Sequence, residues 1–206
     1  MNDVFLKDTY RTILSTPAET IFKEKGSKFF GYVFPILNEE EVKHHLINLR
    51  KQHPRAGHFC YAWQLGTETF HYRVSDDGEP SNSAGMPIYG QLQAFEVTNL
   101  LVVSVRYFGG TKLGVGGLIQ AYKYSAKITL KNATIVEHTN DVLFQLNFEY
   151  DVMNSVMRII KEEFISIIHQ DLGEACVYCI SVRKKKLDLV FHRFEQIHKL
   201  RIIILP

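Results

Sequence analysis

Apolar and polar positions follow distinct rhythms along the chain, and each rhythm predicts an element. Residues 20–36 read as extended chain, punctuated by Gly26 and Gly31. Asn38 precedes Glu39-Glu40-Glu41, a capping side chain followed by acids suited to a helix N-terminus, so a helix is expected from there to about Lys51. Residues 57–65 (GHFCYAWQL) and 70–75 read as two strands folded into a hairpin around Gly66, and an acidic segment with Pro and Gly follows. Residues 99–105 are almost continuously apolar and β-branched, the pattern of a strand covered on both faces, with Arg106 at its exit. Leu118, Tyr122, Ala126 and Leu130 then recur every four residues, predicting a helix with one buried stripe. Lys123, Lys127 and Lys131 form a basic line one position further round.

The rhythm changes near residues 136–141. Val142, Phe144, Leu146, Phe148 and Tyr150 alternate with polar residues, as in a strand with one wet face. Asp151 is placed to cap a helix carrying Val152, Val156, Ile160 and Phe164 on one side. Strands at about 165–170 and 175–183, a helix at 187–199 and a last strand at 201–205 complete the order βαββαβ, that of a split βαβ, ferredoxin-like unit. An α+β protein of two domains, 1–136 and 137–206, is therefore expected.

Composition narrows the function classes. With 206 residues, 46% hydrophobic and 22% charged, the chain can bury a substantial core without staples. A net charge of +2 does not by itself announce a nucleic-acid binder, but the basic excess lies before residue 137. Three cysteines at no framework spacing argue against a disulfide-built secreted domain, and no apolar run approaches the ~18 residues that would cross a bilayer, so a cytoplasmic location is expected.

The densest candidate chemistry is RYFGGTKLGVGGLIQAY, residues 106–122. Gly109, Gly110, Gly114, Gly116 and Gly117 would either free backbone N–H groups at a helix start to cradle an anion, or serve a tight turn and close helix packing. The stretch is no nucleotide loop of the Gly-Lys-Ser/Thr kind, and Ile119 breaks GxGxxG. Arg106, Lys112 and the lysine line would place cations beside a cradle, or form a solvated face. Asp76, Asp77 and Glu79 would bind a divalent cation, or make a turn whose carboxylates cap a helix and pair with Arg106; the turn is the expected use, with no metal. Cys176 and Cys179 form a CxxC, but in a strand residues three apart face opposite ways, which argues against a joint site. His58, near Arg55 and Cys60, is the histidine to watch.

SDDGEPSNSAGMPI (75–88) followed by VVSVRYFGGTKLGVGGLIQAY (102–122) resembles the signature of the YigZ/IMPACT family, and KEKGSKFFGYV (23–33) and HFCYAW (58–63) resemble its other two blocks in order. Asn82-Ser83 stands where Gly-Thr is customary, and Gln120 where a basic residue is common. The resemblance implies an N-terminal domain like the second domain of ribosomal protein S five and a C-terminal domain like a ferredoxin-like domain of elongation factor G. It also implies a nucleic-acid or ribosome-associated role for bacterial-type members. Eukaryotic relatives regulate a starvation-activated kinase that controls translation initiation, using a further N-terminal domain for which this chain has no room.

The expected function is a non-enzymatic protein, without cofactor, that binds RNA or a ribosomal surface and regulates translation. Ser27, Lys28, Arg73, Arg106, Lys112 and Lys123 would contact phosphates, with Gly109, Gly110, Gly114, Gly116 and Gly117 letting the backbone approach. Two alternatives stand beside it: a module that docks on a translation-control protein, and an enzyme acting on a phosphorylated small molecule through Asp76, Asp77 or Glu79 with Lys112 on phosphate.

Overall fold

The computed structural model describes residues 8–14 and 18–205. They form two compact units, one of residues 10–138 and one of residues 139–205 joined by residues 8 and 9.

In the first unit, β1 (Thr9–Ile13) precedes a hairpin of β2 (Ala18–Glu24) and β3 (Ser27–Pro35), where the extended stretch turns sharply at Lys25-Gly26. Helix α1 (Glu39–Gln52) follows, its N-terminus capped by Asn38, whose Oδ1 accepts from the Glu41 N–H. Next come β4 (His58–Leu65), β5 (His71–Ser75), α2 (Gly85–Ala94), β6 (Leu100–Tyr107), α3 (Gly114–Asn132) and β7 (Ile135–Thr139). Five strands make an antiparallel sheet in the order β2-β3-β6-β4-β5, and β1 pairs with β7 in a separate two-stranded ladder.

The alternation of side chains along β6 explains its unbroken apolar run. Leu100 and Val102 enter a core with Phe29, Val33, Leu92, Tyr122 and Leu130 beneath α2 and α3. Leu101, Val103 and Val105 enter a second core with Tyr32, Leu49, Phe59 and Trp63 beneath α1. The Leu118, Tyr122, Ala126 and Leu130 stripe of α3 is buried, and Lys123, Lys127 and Lys131 are exposed.

Helix α2 is not predicted by the sequence pattern. Its first turn carries Pro87, and Gly85 and Gly90 lie within it, so its local propensity is poor. A carboxylate eight residues upstream supplies the missing cap, as described below.

The second unit holds β8 (Asp141–Phe148), α4 (Met153–Glu162), β9 (Ser166–Leu172), β10 (Cys176–Arg183), α5 (Leu187–Glu195) and β11 (Arg201–Ile204). Its antiparallel sheet runs β11-β8-β10-β9, so β10 is inserted between the strands that α4 connects, the split βαβ arrangement. Phe144, Leu146, Phe148, Tyr178 and Ile180 pack with Val156, Ile160, Val190 and Phe194.

Three expectations fail here. Phe164 is 91% exposed, because α4 ends at Glu162 and Phe164 turns away at φ +55°. Asp151 does not cap α4; it sits in a short 3₁₀ turn and pairs with Lys199 at 3.0 Å. Helix α5 also stops at Glu195, four residues short of the expected end.

Candidate functional site

β6 carries Arg106 to the end of the sheet, opposite Phe29, on the face covered by α2 and α3. There its guanidinium is buried, and Nη1 donates to Glu79 Oε1 at 2.6 Å. The Tyr122 hydroxyl donates to the same oxygen at 2.7 Å, and Arg106 Nη2 donates to Ser27 Oγ at 3.2 Å. Ser27 Oγ accepts again from the Gly109 N–H at 3.3 Å, tying the hairpin end to the glycine turn. His58 Nδ1 donates to the Asp77 carbonyl at 2.9 Å, which leaves its Nε2 facing Glu79 Oε1 at 3.8 Å. A charge pair this deep persists because each partner neutralises and hydrogen-bonds the other.

Cys60 and Tyr122 complete the cluster as neutral groups. Burial raises the Cys60 thiol well above its ordinary range, and burial together with neighbouring Cys60 and Glu79 does the same to the Tyr122 hydroxyl. A thiol held protonated is no nucleophile.

The acidic segment is a structural turn in which each carboxylate has a separate task. Asp76 Oδ1 accepts from the N–H groups of Ala84 (2.9 Å) and Gly85 (2.8 Å), and Oδ2 from Asn82 N–H (2.8 Å), so this side chain caps α2. Asp77, at φ +40°, accepts from the Phe59 N–H at 2.6 Å and from Arg50 at 2.9 Å. Glu79 takes Arg106. Among the described residues no group of three His, Cys, Asp or Glu is placed to hold a metal ion.

The five glycines divide by environment. A Cβ on Gly109 would stand 1.8 Å from the Gly26 carbonyl carbon, so the tips of the hairpin and the glycine turn touch backbone to backbone. A Cβ on Gly117 would press on Leu113 at 3.1 Å. At Gly110, Gly114 and Gly116 it would meet nothing within 4 Å, and all three are exposed. Packing therefore explains Gly109 and Gly117, and positive φ explains Gly110 (+87°) and Gly114 (+71°), which leaves Gly116 with neither reason to be glycine. The start of α3 that Gly110, Gly114 and Gly116 surround has no side-chain cap and no acidic residue in its first turn, leaving N–H groups open to solvent.

Beside that helix start lies a groove of about 390 Å³ between the β2–β3 hairpin and α3. Phe22, Glu24 and Lys25 line it from the hairpin, and Leu113, Gly117, Gln120, Ala121 and Tyr124 from the helix side. The rings of Phe22 and Tyr124 lie 4.8 Å apart, and Tyr124 is half exposed.

The structure sorts the expected phosphate-contact residues. Ser27 and Arg106 are buried and engaged inside the protein, so neither presents surface to a phosphate. Lys112 and Lys123 are exposed on the glycine turn and α3. Lys28 is exposed at the end of β3, where the alternation of the strand sets it on the face opposite Arg106. Arg73 is remote: it lies on β5, at the other edge of the sheet from the hairpin. Lys25, Lys28, Lys112 and Lys123 make no ion pair with any described residue. Sequence reasoning misses the groove residues Phe22, Glu24 and Tyr124 because they come from segments about a hundred positions apart; Gln120 stands out in the sequence only for the basic residue it replaces.

The sequence that builds this region matches known proteins. The Impact N-terminal domain family matches residues 25–130, which include the whole Arg106–Glu79 cluster and the glycine turn. The chain belongs to the IMPACT family. It is 31% identical to IMPACT family member YigZ of Escherichia coli over 161 residues, covering 77% of this chain and 79% of that one. With IMPACT family member YvyE of Bacillus subtilis it shares 31% identity over 154 residues, 75% of this chain and 70% of the relative. An IMPACT family member of Haemophilus influenzae is 27% identical over 188 residues and is matched along 91% of its length. A crystal structure of a hypothetical protein shares the fold at a TM-score of 0.67 and 24% identity, covering 98% of this chain and 99% of that one. Family membership leaves the role of each site residue to be argued from its surroundings.

Proposed function

We propose that this IMPACT family protein binds RNA, free or at a ribosomal surface, through the hairpin end, glycine turn and α3 start of its first unit, and acts in the regulation of translation. The observation that carries the reading is the exposure of Gly110, Gly114 and Gly116 around the start of α3; positive φ accounts for glycine at 110 and 114, and no neighbour or backbone angle requires it at 116. They leave the uncapped start of α3 open beside Lys25 and Lys112, cations with no partner among the described residues. Backbone N–H groups with flanking lysines suit a phosphate chain, and the adjacent aromatic groove suits unpaired bases. Arg106 and Glu79 serve this surface indirectly, by holding the turn against the hairpin.

The test is binding of structured RNA and purified ribosomes across a salt series, comparing wild type with Lys25→Ala/Lys112→Ala. Wild-type affinity should fall steeply with salt. The variant should bind more weakly, with a slope lower by roughly 0.7 for each single-strand phosphate it no longer neutralises. Equal binding by both folded proteins, or a salt-independent interaction, overturns the reading. One observation favours a protein partner instead: Phe108 and Val115 are 56% and 53% exposed on the turn and the first residues of α3. A partner that stays bound after nuclease treatment and no longer binds Phe108→Ala would establish that alternative.

A further inference from the structure

The groove between the hairpin and α3 holds two polar side chains that the fold itself does not use. Neither the Glu24 carboxylate nor the Gln120 amide makes a hydrogen bond or ion pair with any described residue, although both line the groove with Lys25. Gly117, Gln120, Ala121 and Tyr124 fall on one helical face, so the small residues open the space that Tyr124 and Phe22 close with aromatic surface. A volume of about 390 Å³ lies in the range of small-ligand sites. A bare carboxylate is the wrong lining for a phosphate. It requires a ligand part that donates hydrogen bonds.

Building on the RNA-binding reading, we propose that this groove takes an unpaired guanine of single-stranded RNA, with Glu24 reading its Watson–Crick edge. Among the four bases only guanine presents two adjacent donors, N1–H and the N2 amino group, which match the two oxygens of a carboxylate. Adenine and cytosine set a ring-nitrogen acceptor beside their amino donor, and uracil flanks its single N–H with two carbonyls, so each would face Glu24 with a lone pair. Gln120, with both a donor and an acceptor, suits the remaining polar edge of the base from the helix side. Tyr124 and Phe22 offer ring surface to the base plane, the usual way unpaired RNA bases are held. Lys25 and the lysines of the turn and helix, Lys112 and Lys123, supply the charge complementary to the flanking phosphates.

The test compares a uridine oligonucleotide carrying one central guanosine with the all-uridine oligonucleotide, by fluorescence anisotropy, for wild type, Glu24→Gln and Tyr124→Ala. Wild type should prefer the guanosine oligonucleotide by about tenfold, the scale of one good base-edge contact. Glu24→Gln should lose that preference while binding the all-uridine strand at least as tightly as wild type, because a negative charge has gone. Tyr124→Ala should weaken both strands several-fold. A purely electrostatic role for Glu24 would move both strands together. Equal wild-type affinity for the two strands, or a preference retained in Glu24→Gln, overturns the guanine assignment while leaving RNA binding in place. Absence of binding to either strand and to structured RNA by folded wild type removes both. Guanosine monophosphate competing as effectively as the oligonucleotide would overturn the RNA source and assign the groove to a free nucleotide.

Discussion

Arg106 Nη1 lies 2.6 Å from Glu79 Oε1, with the two side chains 5% and 4% exposed, and this pair joins the strand before the glycine turn to the acidic loop. Removing one member strands the other in a place water does not reach. Arg106→Ala should therefore destabilise the protein by about 3–5 kcal/mol in urea unfolding. Arg106→Met combined with Glu79→Leu should recover much of that loss, since it also removes the buried Arg106 Nε, which has no hydrogen-bond partner. An Arg106→Ala protein as stable as wild type would deny the pair its structural role. Loss of ligand binding on changing Arg106 is thus no evidence that Arg106 touches the ligand.

Asp76 organises the other side of this connection. Its two carboxylate oxygens accept three backbone N–H groups, two of them at the start of α2. Asp76→Ala should cost about 2 kcal/mol and speed hydrogen exchange at Ala84 and Gly85 before exchange elsewhere in the sheet rises. Unchanged protection at these two amides would show that other groups satisfy the helix start.

The same residue explains what the sequence could and could not reveal. The strand ending at Arg106, the α3 stripe and the βαββαβ order are legible because their periodicity is local and long. Helix α2 is not, because Pro87, Gly85 and Gly90 argue against it locally and its cap lies at Asp76. Strands β1 and β7 are five residues each and pair across more than a hundred positions, so neither carries enough pattern alone. Pairing of the acidic loop with Arg106 could be foreseen as one use of those carboxylates, but only burial shows that the pair excludes Arg106 from the surface. The groove has no local signature at all: Glu24 and Tyr124 meet only once the hairpin has folded against α3.

The glycines of the turn should separate experimentally. Gly109→Ala would drive a methyl group into the Gly26 backbone, and displacing the hairpin end should cost about 1–3 kcal/mol or more. Gly116→Ala meets open space at an ordinary helical φ and should stabilise α3 by about 0.5–1 kcal/mol. If these exposed glycines serve a ligand, Gly116→Ala should nevertheless weaken RNA binding. A more stable protein with unchanged affinity would return Gly116 to a purely local role.

In the second unit, acid should act through Glu163. Arg193 Nη1 donates to its Oε1 at 2.6 Å and Lys186 Nζ lies 3.2 Å from its Oε2. The hydrogen bond from Arg193, opposed by burial and reinforced by Lys186, holds the carboxyl below its ordinary value of 4.5. A carboxyl with a depressed folded-state pKa contributes stability that is fully present above its unfolded value and is lost as pH falls through the folded one. Glu163→Gln should therefore melt below wild type at neutral pH, and the gap should close on acidification below about pH 4.5. Melting curves of both proteins from about pH 3 to 7 test this. A gap that is constant across the range would assign the loss to altered packing, and no gap at neutral pH would mean that solvent screening has cancelled the contribution of the pair.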